Sequence, residues 1–316
     1  MSLITWLLPN TVTSQYMRVV SDYAIDKAKW WEKYQWIAKK WYVNSEFTAT
    51  IWCIDEKFLK NEFYTIFWVI EEWKYRMVAM IKWTASKYII RKLVRWMTRK
   101  QRELFVQISA DMANSMHCIV REAFPNALIV DDRFHVQKQI NWDVQAIRMR
   151  LKTVCRKQEA KSDRKELKRY ANWETRCELL TRVMYQLSRP VKARSDSQIA
   201  RWNTIKSISS FKALVVGYDI AIELHNTYEQ CRSKVEWENR IKKLITKAKK
   251  YRRVTEVLLM ARLLEKRLDT ITNYFISRHT NWRAENLNMR ISDIVRDCRW
   301  FSNPDYMVFR LSKALW

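Results

Sequence analysis

The sequence predicts a mixed α/β sheet interrupted by a large helical insertion. Three observations lead there. Three β-rich runs follow one another closely, Thr48 to Asp55, Phe63 to Ile70 and Tyr75 to Ile81. Helical and strand-like runs then alternate as far as Asp131, and from Asp132 to about residue 270 the chain is basic and helical in pattern.

Taken in order, residues 1–46 read as helical, and Tyr34 to Trp41 faintly resembles the middle of a helix-turn-helix, with an ordinary surface helix as the alternative. The three β-rich runs, separated by turn-like segments, predict an antiparallel meander. Ser86 to Leu104 carries Ile89, Ile90, Leu93, Val94 and Met97 at helical spacing and predicts a crossover helix. Phe105 to Asp111 is a further strand, 112–124 a helix stopped before Pro125, and Ala127 to Asp131 a buried strand. A meander followed by alternating helices and strands is the layout of an RNase H-like sheet. The expected division is 1–46 as a helical N-terminal part, 47–136 as the first part of the core, 137–270 as the insertion and 271–316 as a C-terminal helical part. Gly217 and Pro190 are expected to mark breaks between helices.

Composition narrows the classes of function. With 316 residues and 48% hydrophobic content the chain can bury a sizeable core. The 59 Lys+Arg against 33 Asp+Glu leave a formal charge of +26, so a large polyanion is the natural partner, and nucleic acid fits best. An anionic membrane is the competing partner, but the basic residues spread over the whole chain rather than gathering beside an apolar segment. No window has the uninterrupted apolar length of a membrane span, and Met1 to Trp6 lacks the pattern of a signal peptide. Six cysteines without a C-x-x-C pair argue against a zinc ribbon and a disulfide scaffold, which together place the protein in a reducing cytoplasm.

Glycine and tryptophan are anomalous. Gly217 is the single glycine, where ordinary usage predicts about 22, while tryptophan appears 17 times. Trp73 and Trp83 stand between elements, where turn geometry favours glycine. The two counts together approach an ordinary glycine content, as they would if UGA codons written here as tryptophan were read as glycine in the native lineage. The alternative is a tryptophan-rich surface that stacks nucleobases.

The chemistry-bearing residues are acidic. Asp55 and Asp111 each close a predicted strand, where a sheet presents side chains to a ligand crevice, though each could equally cap the segment that follows. Around them stand Ile54-Asp55-Glu56, Ser109-Ala-Asp111-Met, the long phrase from Phe124 through Asp132-Arg-Phe-His to Val136, and Asn281-Trp-Arg-Ala-Glu285. From residue 47 to the C-terminus these motifs resemble the ISL-three family of DDE transposases encoded by insertion sequences. Trp282 and Trp300 fall where that family commonly has glycine, and the family's N-terminal cysteine-rich zinc element is missing, since no cysteine precedes Cys53.

The resemblance implies a catalytic and metal-binding triad of Asp55, Asp111 and Glu285, spaced 56 and 174 residues apart. Three such carboxylates can hold two Mg²⁺, or Mn²⁺, about 3.5–4 Å apart for DNA cleavage and strand transfer. It also implies a homo-oligomer acting on DNA. Arg133, His135, Lys138, Asn281, Arg283 and Arg290 are candidate DNA contacts, with an Asp132–Arg133 ion pair the favoured alternative for that motif. Glu56 and Asp131 are expected to support the ligands or to be solvated, and His117 carries no evident role. Two other readings remain open: an inactive or truncated derivative that only binds nucleic acid, and a related nuclease acting on RNA or DNA junctions.

Overall fold

The computed structural model describes residues 23, 31–32, 35–37, 51–71, 74–161, 167–188, 194–277, 282–297 and 303–315. They fall into two compact units, Met1–Asp132 with Arg278–Trp316, and Arg133–Ser277.

The first unit is built on one sheet. Its strands are β1 (Trp31–Glu32), β2 (Gln35–Ile37), β3 (Ile51–Leu59), β4 (Glu62–Glu71), β5 (Lys74–Lys82), β6 (Gln107–Ala110) and β7 (Leu128–Asp131), in the order β1-β2-β5-β4-β3-β6-β7. Strands β3, β4 and β5 form an antiparallel meander. β6 then pairs parallel with β3, and β7 parallel with β6. Parallel neighbours need crossovers. Helices α1 (Ser86–Trp96) and α2 (Arg99–Glu103) supply the first and α3 (Asn114–Ala123) the second.

Both faces of the sheet are covered, which is why the strands read as near-continuous apolar runs. Alternation along β3 sends Trp52 and Ile54 to one face, where they join Phe67, Val69, Ile89, Leu93, Ile119 and Val120. The Trp52 ring lies 4.4 Å from that of Phe105 and 5.5 Å from that of Phe124. Cys53 points the other way and packs with Tyr64, Ile66 and Trp68 under two C-terminal helices, α12 (Trp282–Asp297) and α13 (Pro304–Leu315). Leu287 and Ile291 are the α12 residues in that core, and Met307, Val308 and Leu311 those of α13.

Several elements depart from the sequence expectations. The helix expected over 86–104 is two helices, because Thr98 accepts from the Gln101 amide while the Gln101 side chain accepts from the Thr98 amide, a capping box that starts α2 afresh. Asp55 does not close its strand. β3 runs on to Leu59 and turns through Lys60 and Asn61, whose φ of 46° and 64° suit a tight hairpin turn. Within the stretch expected to be helical, Gln35–Ile37 is strand and pairs antiparallel with Ala79–Ile81, giving the outer edge of β5 the partner its backbone needs. The rest of 34–41 lies outside the described residues.

The second unit is helical: α4 (Arg133–Glu159), α5 (Arg176–Arg182), α6 (Asp196–Ser207), α7 (Lys212–Gln230), α8 (Lys234–Lys249), α9 (Thr255–Lys266), α10 (Leu268–Thr272) and α11 (Tyr274–Ser277). α7 packs on α4 and α8, and α8 on α9. Gly217 is no break. It sits inside α7, where an added β-carbon would meet Ile147 Cδ1 at 2.7 Å, so its smallness lets α7 and α4 approach. Pro190 lies outside the described residues. Buried Glu174 accepts from Arg201 at 2.7 Å and Arg182 at 2.8 Å, joining α6 to α5. The basic run on α8 is an amphipathic pattern: Ile241, Leu244, Ile245 and Ala248 are buried, while Lys242, Lys243, Lys247 and Lys249 face solvent.

Candidate carboxylate site and nucleic-acid surface

The β3–β6 register builds the centre of the site. Ile54 pairs with Ala110, the last residue of β6, so Asp55 and Asp111 each follow one member of that pair and leave the β3–β6 ladder side by side. They are 56 residues apart in the chain. Each carboxylate takes a hydrogen bond from the amide that follows it: Glu56 N–H donates to Asp55 Oδ1 at 2.8 Å, and Met112 N–H to Asp111 Oδ1 at 2.5 Å. Both side chains are half-buried.

The local charge is visible in the neighbours. The carboxyl of Glu56 is raised above its usual range by burial, with Asp111 and then Asp55 adding repulsion. Burial pushes the Cys53 thiol well up, and Asp132 and Asp55 push it further, which puts Asp132 within electrostatic reach of the same spot. Asp132 is itself buried at 2% exposure at the end of β7.

From the opposite side α12 reaches the site. Asn288 Nδ2 donates to Asp55 Oδ2, and Asn288 Oδ1 is buried with no hydrogen-bond partner among the described residues. Glu285 lies in the same helix three residues earlier, close to one turn. Its side chain and that of Arg283 are outside the described residues, as is Asn281 altogether; Arg290 is exposed on α12. Among the described residues no group of three His, Cys, Asp or Glu side chains could hold a metal.

The donors that are described are of the type a divalent cation takes. Two carboxylates stand side by side, and an orphaned amide oxygen belongs to a side chain bonded to one of them. All are hard oxygens, the type magnesium and manganese take.

Asp131 is neither solvated nor idle. It is fully buried, and its Oδ1 lies 2.6 Å from Nε2 of His117, itself 2% exposed. Asp131 is level with Ala110 in the β6–β7 ladder, so the pair ties α3 to the strand end beside Asp111. Neither His117 nor Asn288 is marked in the sequence as a site residue. A histidine on an apolar helix face and an asparagine in mid-helix carry no local mark of a partner.

The other candidates belong to the helical unit. The Arg133 guanidinium donates to Glu229 at 3.0 Å and to the Tyr274 hydroxyl at 3.5 Å, and lies 5.9 Å from the Tyr228 ring, which replaces the expected Asp132–Arg133 pair. His135 is half-buried, with its ring 5.9 Å from that of Phe134. Lys138 is exposed, its ammonium 5.1 Å from the Trp142 ring and 5.9 Å from that of Phe134, and both rings are themselves exposed. Among the described residues no helix is long and apolar enough to cross a membrane.

Compared with known proteins, residues 52–311 match the model of an ISL-three transposase family, described as a transposase. That span contains every carboxylate discussed above. No curated protein and no solved structure matches the chain.

Proposed function

This chain belongs to the ISL-three transposase family, and from that premise we propose that it cleaves DNA at insertion-sequence ends and joins the ends to target DNA in a reaction dependent on Mg²⁺ or Mn²⁺. The observation that supports the reading is the placement of Asp55 in β3 and of Asp111 just past the end of parallel β6, each following the paired residues Ile54 and Ala110, with α12, the helix of Glu285, bonded to Asp55 through Asn288. Residues three apart on a helix are surface neighbours, which supports Glu285 as the third ligand. The meander β3–β5 continued by parallel β6 and β7 supports the RNase H-like reading of the sheet.

In this reading Asp55, Asp111 and Glu285 hold the cations. When bound, two such ions supply an activated water or 3′-hydroxyl and stabilise the leaving oxygen at the scissile phosphate. The protein's own residues do the rest. Amides of Glu56 and Met112 fix the orientation of the two aspartates. Lys138, with Arg290 and the exposed lysines of α8, contributes to phosphate binding. Phe134 and Trp142 flank Lys138 and offer ring faces to an unpaired base. Arg133, already engaged by Glu229 and Tyr274, acts more through packing than through DNA. Resemblance to the family supports a homo-oligomer on DNA in the cytoplasm.

The test is strand cleavage of labelled DNA carrying the element's own ends. Cleavage is expected with Mg²⁺ or Mn²⁺ and should vanish on chelation, while DNA binding persists and weakens steeply with salt. Binding without cleavage under every metal condition would favour a derivative that only binds nucleic acid.

A further inference from the structure

Asp55 is held at both oxygens. The Glu56 amide donates to Oδ1 and the Asn288 side chain to Oδ2, so the plane of the carboxylate is set from two directions. The second hold crosses 233 residues of chain and fastens α12 to β3. It leaves the Asn288 carbonyl oxygen buried and without a partner among the described residues, a state that native structures rarely leave unused. Turning the amide over would relieve nothing, because its oxygen would then face a carboxylate. The orphaned acceptor therefore belongs to the arrangement.

Resting on the metal reading above, we infer that Asn288 is a positioning residue of the cation site. Its Nδ2 fixes the rotamer of Asp55 and the register of α12, and hence of Glu285. Its Oδ1 accepts a hydrogen bond from water bound to the cation. Groups that orient ligands in this way commonly contribute 10–100-fold in metal affinity.

Mn²⁺ binding to the full chain, followed by electron paramagnetic resonance, tests this apart from activity. Asn288→Ala is expected to weaken Mn²⁺ binding roughly 10–100-fold, with unchanged helical circular dichroism. Asn288→Leu keeps the approximate shape of the side chain but removes both the donor to Asp55 and the acceptor, so it is expected to weaken Mn²⁺ binding to a similar degree. The exposed neighbour variant Met289→Ala should bind like the parent. Parent-like affinity in Asn288→Ala overturns the inference; if that variant does not fold, parent-like affinity in Asn288→Leu overturns it instead. A parent that binds no Mn²⁺, or binds it equally after Asp55→Asn and Asp111→Asn, overturns the metal reading itself.

A separate observation concerns Trp83 and Trp173. Their φ angles are 86° and 57°, in the left-handed region where a β-carbon is strained and glycine is not. The indoles do not impose this backbone, since Trp83 is 51% and Trp173 80% exposed. Hydrogen bonds from elsewhere do. Trp83 N–H donates to Phe63 O at 2.7 Å and its carbonyl accepts from Thr65 Oγ1 at 2.8 Å. Trp173 N–H donates to Tyr170 O at 2.9 Å and its carbonyl accepts from Arg169 at 2.7 Å. One glycine against 17 tryptophans adds a compositional reason. We propose that positions 83 and 173 are glycine in the native protein, their UGA codons being read as glycine in its own lineage.

Peptide mass spectrometry of the protein from the organism that carries the gene decides the matter: glycine is expected at both positions, and tryptophan at either overturns the proposal there. Independently, Trp83→Gly and Trp173→Gly in the chain as written are expected to raise its melting temperature by relieving strain. An unchanged or lower melting temperature removes the structural ground for it.

Discussion

Asp111→Asn is expected to lower DNA strand cleavage by about three orders of magnitude or more, while DNA affinity stays near that of the parent. The register of β3 and β6 is the reason. Asp55 and Asp111 are side by side because Ile54 and Ala110 pair, and a cation shared between them needs an anionic oxygen from each. The amide of asparagine keeps the size and one acceptor but removes the charge that draws the cation. Affinity for DNA rests on a different resource, the excess of 59 Lys+Arg over 33 Asp+Glu, which one neutralised carboxylate hardly alters. Asp55→Asn is expected to behave in the same way. Labelled-strand cleavage and a binding titration at one salt concentration check both halves, and cleavage retained in either variant removes that residue from the chemistry.

The second large effect is on stability. His117→Ala is expected to cost about 1–3 kcal/mol, the scale of a buried polar group losing one hydrogen bond. Asp131 is fully buried, and the substitution removes a hydrogen-bond partner 2.6 Å away. Asp131→Asn should cost less, because an amide can still exchange a hydrogen bond with the imidazole. Urea denaturation followed by circular dichroism measures both. A loss of less than about 1 kcal/mol for His117→Ala, the size of an exposed pair, rules out a clamp. Since the pair fastens α3 to β7 next to Ala110, His117→Ala is also expected to slow cleavage under conditions where the variant remains folded.

Much of the sheet was legible in the sequence because its signal is local. The meander strands are apolar runs covered on both faces, and the helix between β5 and β6 shows its buried side at Ile89 and Leu93. Its interruption at Thr98 was also written locally, in a threonine followed three residues later by glutamine, but the apolar period running through Met97 masked it. What stayed hidden depends on distant pairing. Gln35–Ile37 joins the sheet only because β5 has an edge to fill, and nothing within 34–41 says so. Asp55 looked like a strand terminus because polar residues follow it, yet those residues continue the ladder with β4. The two aspartates could be found from their motifs. Asn288 could not, since its partner is 233 residues away and only folding brings them together.

The overrun of β3 past Asp55 gives the acidic centre a lopsided frame. β3 and β4 go on past Asp55 to the Lys60–Asn61 turn, with β5 and Trp83 alongside β4 as far as Phe63, and bear the exposed, neighbouring rings of Phe58 and Phe63, whereas β6 stops at Ala110. One flank of the paired aspartates is thus bordered by an aromatic-tipped strand extension, and the other by the shorter ends of β6 and β7. If the site takes duplex DNA, as proposed, the duplex meets that aromatic edge on one side of the aspartates only.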